Sequence, residues 1–287
     1  SLVHFAEGIQ RRLERKVSSD TPAQNTLTQV CSSRSAALSA DERQAWPAKV
    51  DELAHRGVRL ESLLDFYARD LLGLGGDRRM ASFSPTASTT RDVVREAIIP
   101  LSRLDGDAGG VALATKWNRG EPLRAERMVT HAWSNLFTDL VAAIAADALG
   151  RDRYDEEAEL LASGNVEELK VRLIAAGTLQ QVYWVCSFSI NQHAGICGSY
   201  GPPPPDDHSR YEIWAESRLN TVTKELYPLC TCREPKYFNN FPVECELNKF
   251  DDMMALLSED REFRHVVAMD RTFALLTRVW CLAEIAE

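Results

Sequence analysis

Residues 181–188, QVYWVCSF, constrain this chain most. The segment is aromatic, β-branched or apolar at almost every position. A near-continuous apolar run of this length suits a strand covered on both faces, as in a parallel sheet with helices on each side. Polar residues crowd in directly behind it: Ser189, Asn191, Gln192 and His193. Two other segments repeat the plan. Met128, Val129 and Thr130 run into His131, Trp133 and Asn135 and then a helix over 136–149, which Gly150 ends and Ser134 or Asn135 is expected to cap. Residues 265–269 form a short strand that runs into Asp270 and a helix carrying Trp280, Cys281 and Glu284. Alternating strand and helix predict an α/β fold with a mostly parallel sheet flanked by helices, in a flavodoxin-like layout.

The remaining segments fit around that sheet. Val3, Phe5, Ile9 and Leu13 have helical spacing, and residues 18–39 read as polar loop. Ser39 followed by Glu42 is a capping-box pattern. Leu60, Leu63, Leu64, Tyr67, Leu71 and Leu72 form one apolar stripe, ended by Gly73, Gly75 and Gly76. Thr89 or Thr90 is expected to cap a helix over 92–99 that Pro100 stops. Acidic helices follow at 154–162 and 166–176, the second capped by Asn165. Asn248 is expected to cap a helix over 249–257. The boundary is placed near residue 88, giving a helical N-terminal region at 1–88 and an α/β domain at 89–287. Residues 194–246 are a long insertion with prolines at 202–205.

Composition narrows the function. The formal net charge of −9 argues against nucleic acid, because phosphate contacts need a basic surface. No apolar run approaches the ~18 residues of a membrane-spanning helix. Residues 1–16 are too charged for a secretory signal. Seven cysteines, an odd number, fit reduced thiols in an intracellular, cytoplasm-like compartment. The chain lacks GxxxxGK[ST], GxGxxG after a strand, HExxH and GxSxG, the signatures of the common nucleotide and hydrolase sites.

If the strands are parallel, three polar groups gather at their C-terminal edge: residues 130–135, residues 189–193, and Asp270 with Arg278 and Glu284. Ligands bind at that edge in open α/β sheets. His131, Trp133, Asn191, Asp270 and Trp280 are the candidate binding residues, and Glu284 is the candidate catalytic one. Each has an ordinary structural use as well, in a turn, a cap or the core. In the insertion, Cys197, Cys230, Cys232 and Cys245 offer four thiolates to a structural zinc ion, and His193 or His208 can replace one of them. Reduced structural thiols or a disulfide fit the same residues, and a Cys197–His193 nucleophilic pair is a weaker reading.

The stretch TRVWCLAEI resembles the WCLxEL helix of Toll/interleukin-1 receptor (TIR) domains, and THAWSNLFTDLVAAI and YWVCSFSINQH resemble the first two strands of TIR-like domains. Together with NQHAGICG and NKFDDMMALL, these segments also resemble proteins of dinoflagellate algae. The resemblance covers roughly residues 126–287 and implies one of two functions. Many such domains are assembly modules that bind protein partners or self-associate. The enzymatic ones cleave the nicotinamide–ribose bond of NAD with the glutamate of this motif, which corresponds to Glu284. The family fold has further strands after this helix, so either the chain is a piece of a longer one or N-terminal segments complete the sheet.

Overall fold

A computed structural model describes residues 38–106, 109–204, 208–270, 273–277 and 279–286. The expectations for residues 1–37 and for Arg278 lie outside this set, as do those for the side chains of His208 and Trp280. By its contacts the chain divides into Ser1–Pro47 and Ala48–Glu287. The expected boundary near residue 88 falls inside the second unit. Leu60, Leu64, Tyr67 and Phe83 share a core cluster there with Val129, Phe137, Tyr183 and Phe188.

The second unit is built on a four-stranded sheet in the order β1–β3–β2–β4, comprising β1 (Val58–Arg59), β2 (Arg127–Thr130), β3 (Val182–Val185) and β4 (Arg264–Val267). β2 is parallel to both β3 and β4, with Met128 opposite Trp184 and Thr130 opposite Val267. The N-terminal segment does contribute to the sheet, since β1 pairs antiparallel with β3. Every residue of β3 is buried, whereas in β4, at the sheet edge, only Val266 is. This is the mixed α/β layout that the apolar run at 181–188 demands.

Helix α1 (Ala40–Ala54) is preceded by the expected capping box, in which the Ser39 N–H donates to Glu42 and the Glu42 N–H to Ser39. Helix α2 (Leu60–Asp65) widens into a π-helical stretch, Phe66–Leu71. Thr89 caps α3 (Thr90–Val93) in a complete capping box with Asp92. Pro100 does not stop this helix. The chain widens to π spacing over Val94–Ile98, with the Ile99 N–H on Val94 O, and continues as α4 (Ile99–Ser102). The missing proline N–H therefore falls where the α-ladder is already broken. Helix α5 (Leu113–Trp117) precedes β2.

Between β2 and β3 run α6 (Phe137–Ala148), α7 (Asp155–Ala162) and α8 (Val166–Ala176). Neither Ser134 nor Asn135 caps α6, whose N-cap position is Leu136. Asn165 stands at the α8 N-cap but makes no capping bond and donates to Ser163 Oγ instead. Strand β3 ends four residues after it begins because the chain turns into α9 (Cys186–Ser189), where Ser189 Oγ accepts from the Val185 N–H. The insertion contains α10 (His208–Glu216). Helix α11 (Phe250–Ser258) has Lys249, not Asn248, at its N-cap, while Asn248 donates to Pro242 O. After β4, a 3₁₀ turn (Ala274–Thr277) leads to α12 (Val279–Ala286). Among the described residues no helix is long and apolar enough to cross a membrane.

Candidate functional site

A cavity of about 320 Å³ opens at the C-terminal ends of β2 and β3. His131 and Trp133 enter it from the loop after β2, Asn191 from the loop after α9, which continues β3, and Glu284 from α12, which follows β4. Parallel pairing thus brings four sequence-predicted residues to one mouth. Trp184, Phe250 and Tyr237 supply flat apolar surface, and Trp184 meets Phe250 edge-to-face at 5.0 Å. Among the described residues, the charged side chains of the lining are Glu244, Glu246 and Glu284, all acidic.

Glu284 is held from behind. Thr130, the last residue of β2 and fully buried, donates its hydroxyl to Glu284 Oε2 at 2.5 Å. His265 of β4 lies 2.7 Å from the same hydroxyl through Nε2. With the Thr130 proton committed to the carboxylate, His265 Nε2–H is the donor to Thr130, so the relay runs His265–Thr130–Glu284. Hydrogen bonds to an ionised carboxylate are among the stronger ones. Burial pushes the His265 imidazole below its ordinary value of 6.5.

Asp270 does not join the cavity. Its carboxylate accepts from the Asn135 side chain at 3.1 Å and from the Leu275 N–H at 3.0 Å, tying the β2 loop to the 3₁₀ turn. A carboxylate behind a strand is as useful for capping the next turn as for binding, and here it caps. Glu246 was not legible in advance. It accepts from the Asn191 N–H and from Arg56, both at 2.8 Å, and so fixes the start of the loop that bears Asn191. Cys186 was legible only as part of the strand, and it lines the cavity beside His131.

The second constellation is the cysteine cluster. His193, Cys197, Cys230 and Cys232 present one ligand atom each, all within 4.8 Å of one another, so the group can hold a metal ion. Cys197 Sγ is 3.6 Å from Cys232 Sγ, and His193 Nδ1 is 3.7 Å from Cys230 Sγ and 3.4 Å from Cys232 Sγ. Tetrahedral zinc with ordinary bond lengths sets S···S near ~3.8 Å and S···N near ~3.6 Å. His193 Nε2 lies 3.0 Å from Ile99 O, so that nitrogen carries the proton and Nδ1 is left for the ion. Gly110 packs flat on the ring, where any Cβ would fall 2.1 Å from His193 Cδ2. Lys236 donates to Cys197 Sγ at 3.3 Å, a cation placed to offset thiolate charge. Burial pushes the Cys197 thiol up to about 12.

Cys245 does not join the cluster. It is buried elsewhere, and its carbonyl accepts from Lys249 Nζ at 2.6 Å. His193 takes its place because the short turn Gln192–Ala194 sets its ring one helical turn from Cys197. The Cys197–His193 pair is thereby absorbed into the cluster.

The insertion has a second set of anchors on α3 and its π-helical continuation. Asp92, Arg95 and Glu96 share one helical face at i, i+3 and i+4. Asp92 accepts from Tyr227 OH at 2.6 Å, Arg95 donates to Ile196 O at 2.8 Å, and Glu96 accepts from Asn220 at 2.6 Å. No family model, curated protein or solved structure matches this chain.

Proposed function

We propose that the cavity is the active site of an NAD glycohydrolase, with Glu284 as its catalytic carboxylate. The observation that carries this reading is the convergence of Glu284, His131, Trp133 and Asn191 on one aromatic-lined cavity. The nicotinamide ring of NAD is a flat cation, and a cavity with aromatic walls whose described charged residues are acidic favours such a group. As the bond from nicotinamide to ribose breaks, positive charge moves to the sugar. A preorganised carboxylate stabilises that charge without reorganising. Thr130 fixes the Glu284 rotamer, and water then completes hydrolysis to ADP-ribose. Incubation of the purified protein with NAD should release nicotinamide and ADP-ribose in equal amounts, and absence of release over the spontaneous rate would refute the assignment.

The metal in the cluster is assigned as structural zinc. The donor set of three thiolates and one imidazole suits zinc, and the closed set leaves no position for a reactant. Zinc would tie down an insertion with few buried apolar residues of its own, at an apparent gain of about 10 kcal/mol or more.

Assembly with protein partners is the second reading. It draws on α8, where Val171 and Ile174, three residues apart, are each 63% exposed.

A further inference from the structure

We infer that Cys186 and His131 form a reactive thiol pair in the same cavity, one that takes a small, positively charged disulfide. The inference needs the cavity but not the chemistry at Glu284. Cys186 ends the β3 run and is half-buried, with its sulfur facing His131 Nε2 at 3.8 Å. His131 Nδ1 lies 3.4 Å from Val129 O, a contact only a protonated Nδ1 can make favourable. The tautomer set by that carbonyl leaves Nε2 as the acceptor towards the thiol. On another side the Trp133 Nε1–H donates to Cys186 Sγ at 3.5 Å, which favours a charged sulfur. Nucleophile, base and an orienting carbonyl are therefore in sequence, the arrangement that activates a thiol.

The ligand class follows from the walls. Among the described lining residues the charged side chains are Glu244, Glu246 and Glu284; Glu246 is paired with Arg56, so Glu244 and Glu284 carry the field. A disulfide carrying ammonium groups gains from that field and one carrying carboxylates loses. In the reaction His131 Nε2 takes the Cys186 proton, and the sulfur attacks one sulfur of the disulfide. A new S–S bond forms as the old one breaks, and the departing thiolate takes the proton back from His131. The product is a mixed disulfide that places the ammonium-bearing half inside the cavity.

The test uses the full chain, zinc-loaded, with cystamine as probe and dithiodipropionate as its anionic counterpart, each adduct mapped by peptide mass spectrometry. Cys186 should react about tenfold faster in the folded protein than in the same chain unfolded in urea, because burial alone can only slow it. Cystamine should outpace the anionic disulfide by about tenfold. His131→Gln should slow the reaction by about a hundredfold, and Trp133→Phe by about fivefold. The Trp133→Phe result decides the matter should the His131 variant fail to fold. A folded-state rate at or below the unfolded rate, or an unchanged rate in either variant, would overturn the proposal.

Discussion

Thr130 reaches two side chains more than 130 residues further along the chain, His265 and Glu284, through one buried hydroxyl. If that hydroxyl positions the carboxylate, Thr130→Val should keep the fold and lower kcat for NAD by about 10- to 100-fold. An unchanged kcat would show that Glu284 needs no such support. His265 adds a pH dependence whose sign follows from burial. Its folded-state value lies below the ordinary 6.5, so in that window the unfolded chain binds more protons. The stability it contributes is present above about pH 6.5 and is lost as pH falls towards the folded value. Thermal unfolding from pH 7.5 down to 5 should therefore be less steep in pH for His265→Gln than for the wild type. Equal slopes would remove His265 from the account. His131, Trp133, Asn191 and Glu284 were legible because each follows a strand, and a parallel sheet sends such residues to one edge. Asp270 met the same criterion yet caps a turn. What a carboxylate accepts from depends on backbone N–H groups that sequence spacing does not reveal.

Among the elements, the insertion shows the division between legible and hidden most clearly. Cys197, Cys230 and Cys232 could be read as ligands from composition, since a loop with little core needs a clamp. His193 against Cys245 could not be decided, because the choice rests on how the turn at Gln192–Ala194 aims one ring. The Asp92–Arg95–Glu96 face was equally hidden, since its partners lie more than a hundred residues away. Pro100 misled for a local reason: a π turn absorbed the residue that normally ends a helix. If zinc occupies the cluster, protein purified without added metal should contain about one zinc per chain. Removing it with a chelator should expose residues 194–246 to protease while β2 and β3 resist. A metal-free protein with an equally resistant insertion would contradict the assignment.

For the molecule as a whole, the α/β layout was legible because the strands carry their burial in their composition. The wholly apolar Val182–Val185 became the fully buried interior strand β3, and Arg264–Val267 the half-exposed edge. The two-residue β1 at the other edge was not, because so short a strand leaves no pattern. If α8 mediates assembly, Val171→Glu with Ile174→Glu should shift size-exclusion elution towards monomer and leave NAD cleavage intact. Identical elution would leave that face without a role in self-association. The central claim, that Glu284 acts on NAD bound in the cavity, is tested most directly by one comparison. NAD affinity by calorimetry and nicotinamide release are measured side by side for wild type and Glu284→Gln. Binding should change little, while release falls by about 10²–10³-fold or more. Release at an undiminished rate from the Gln variant would contradict the account.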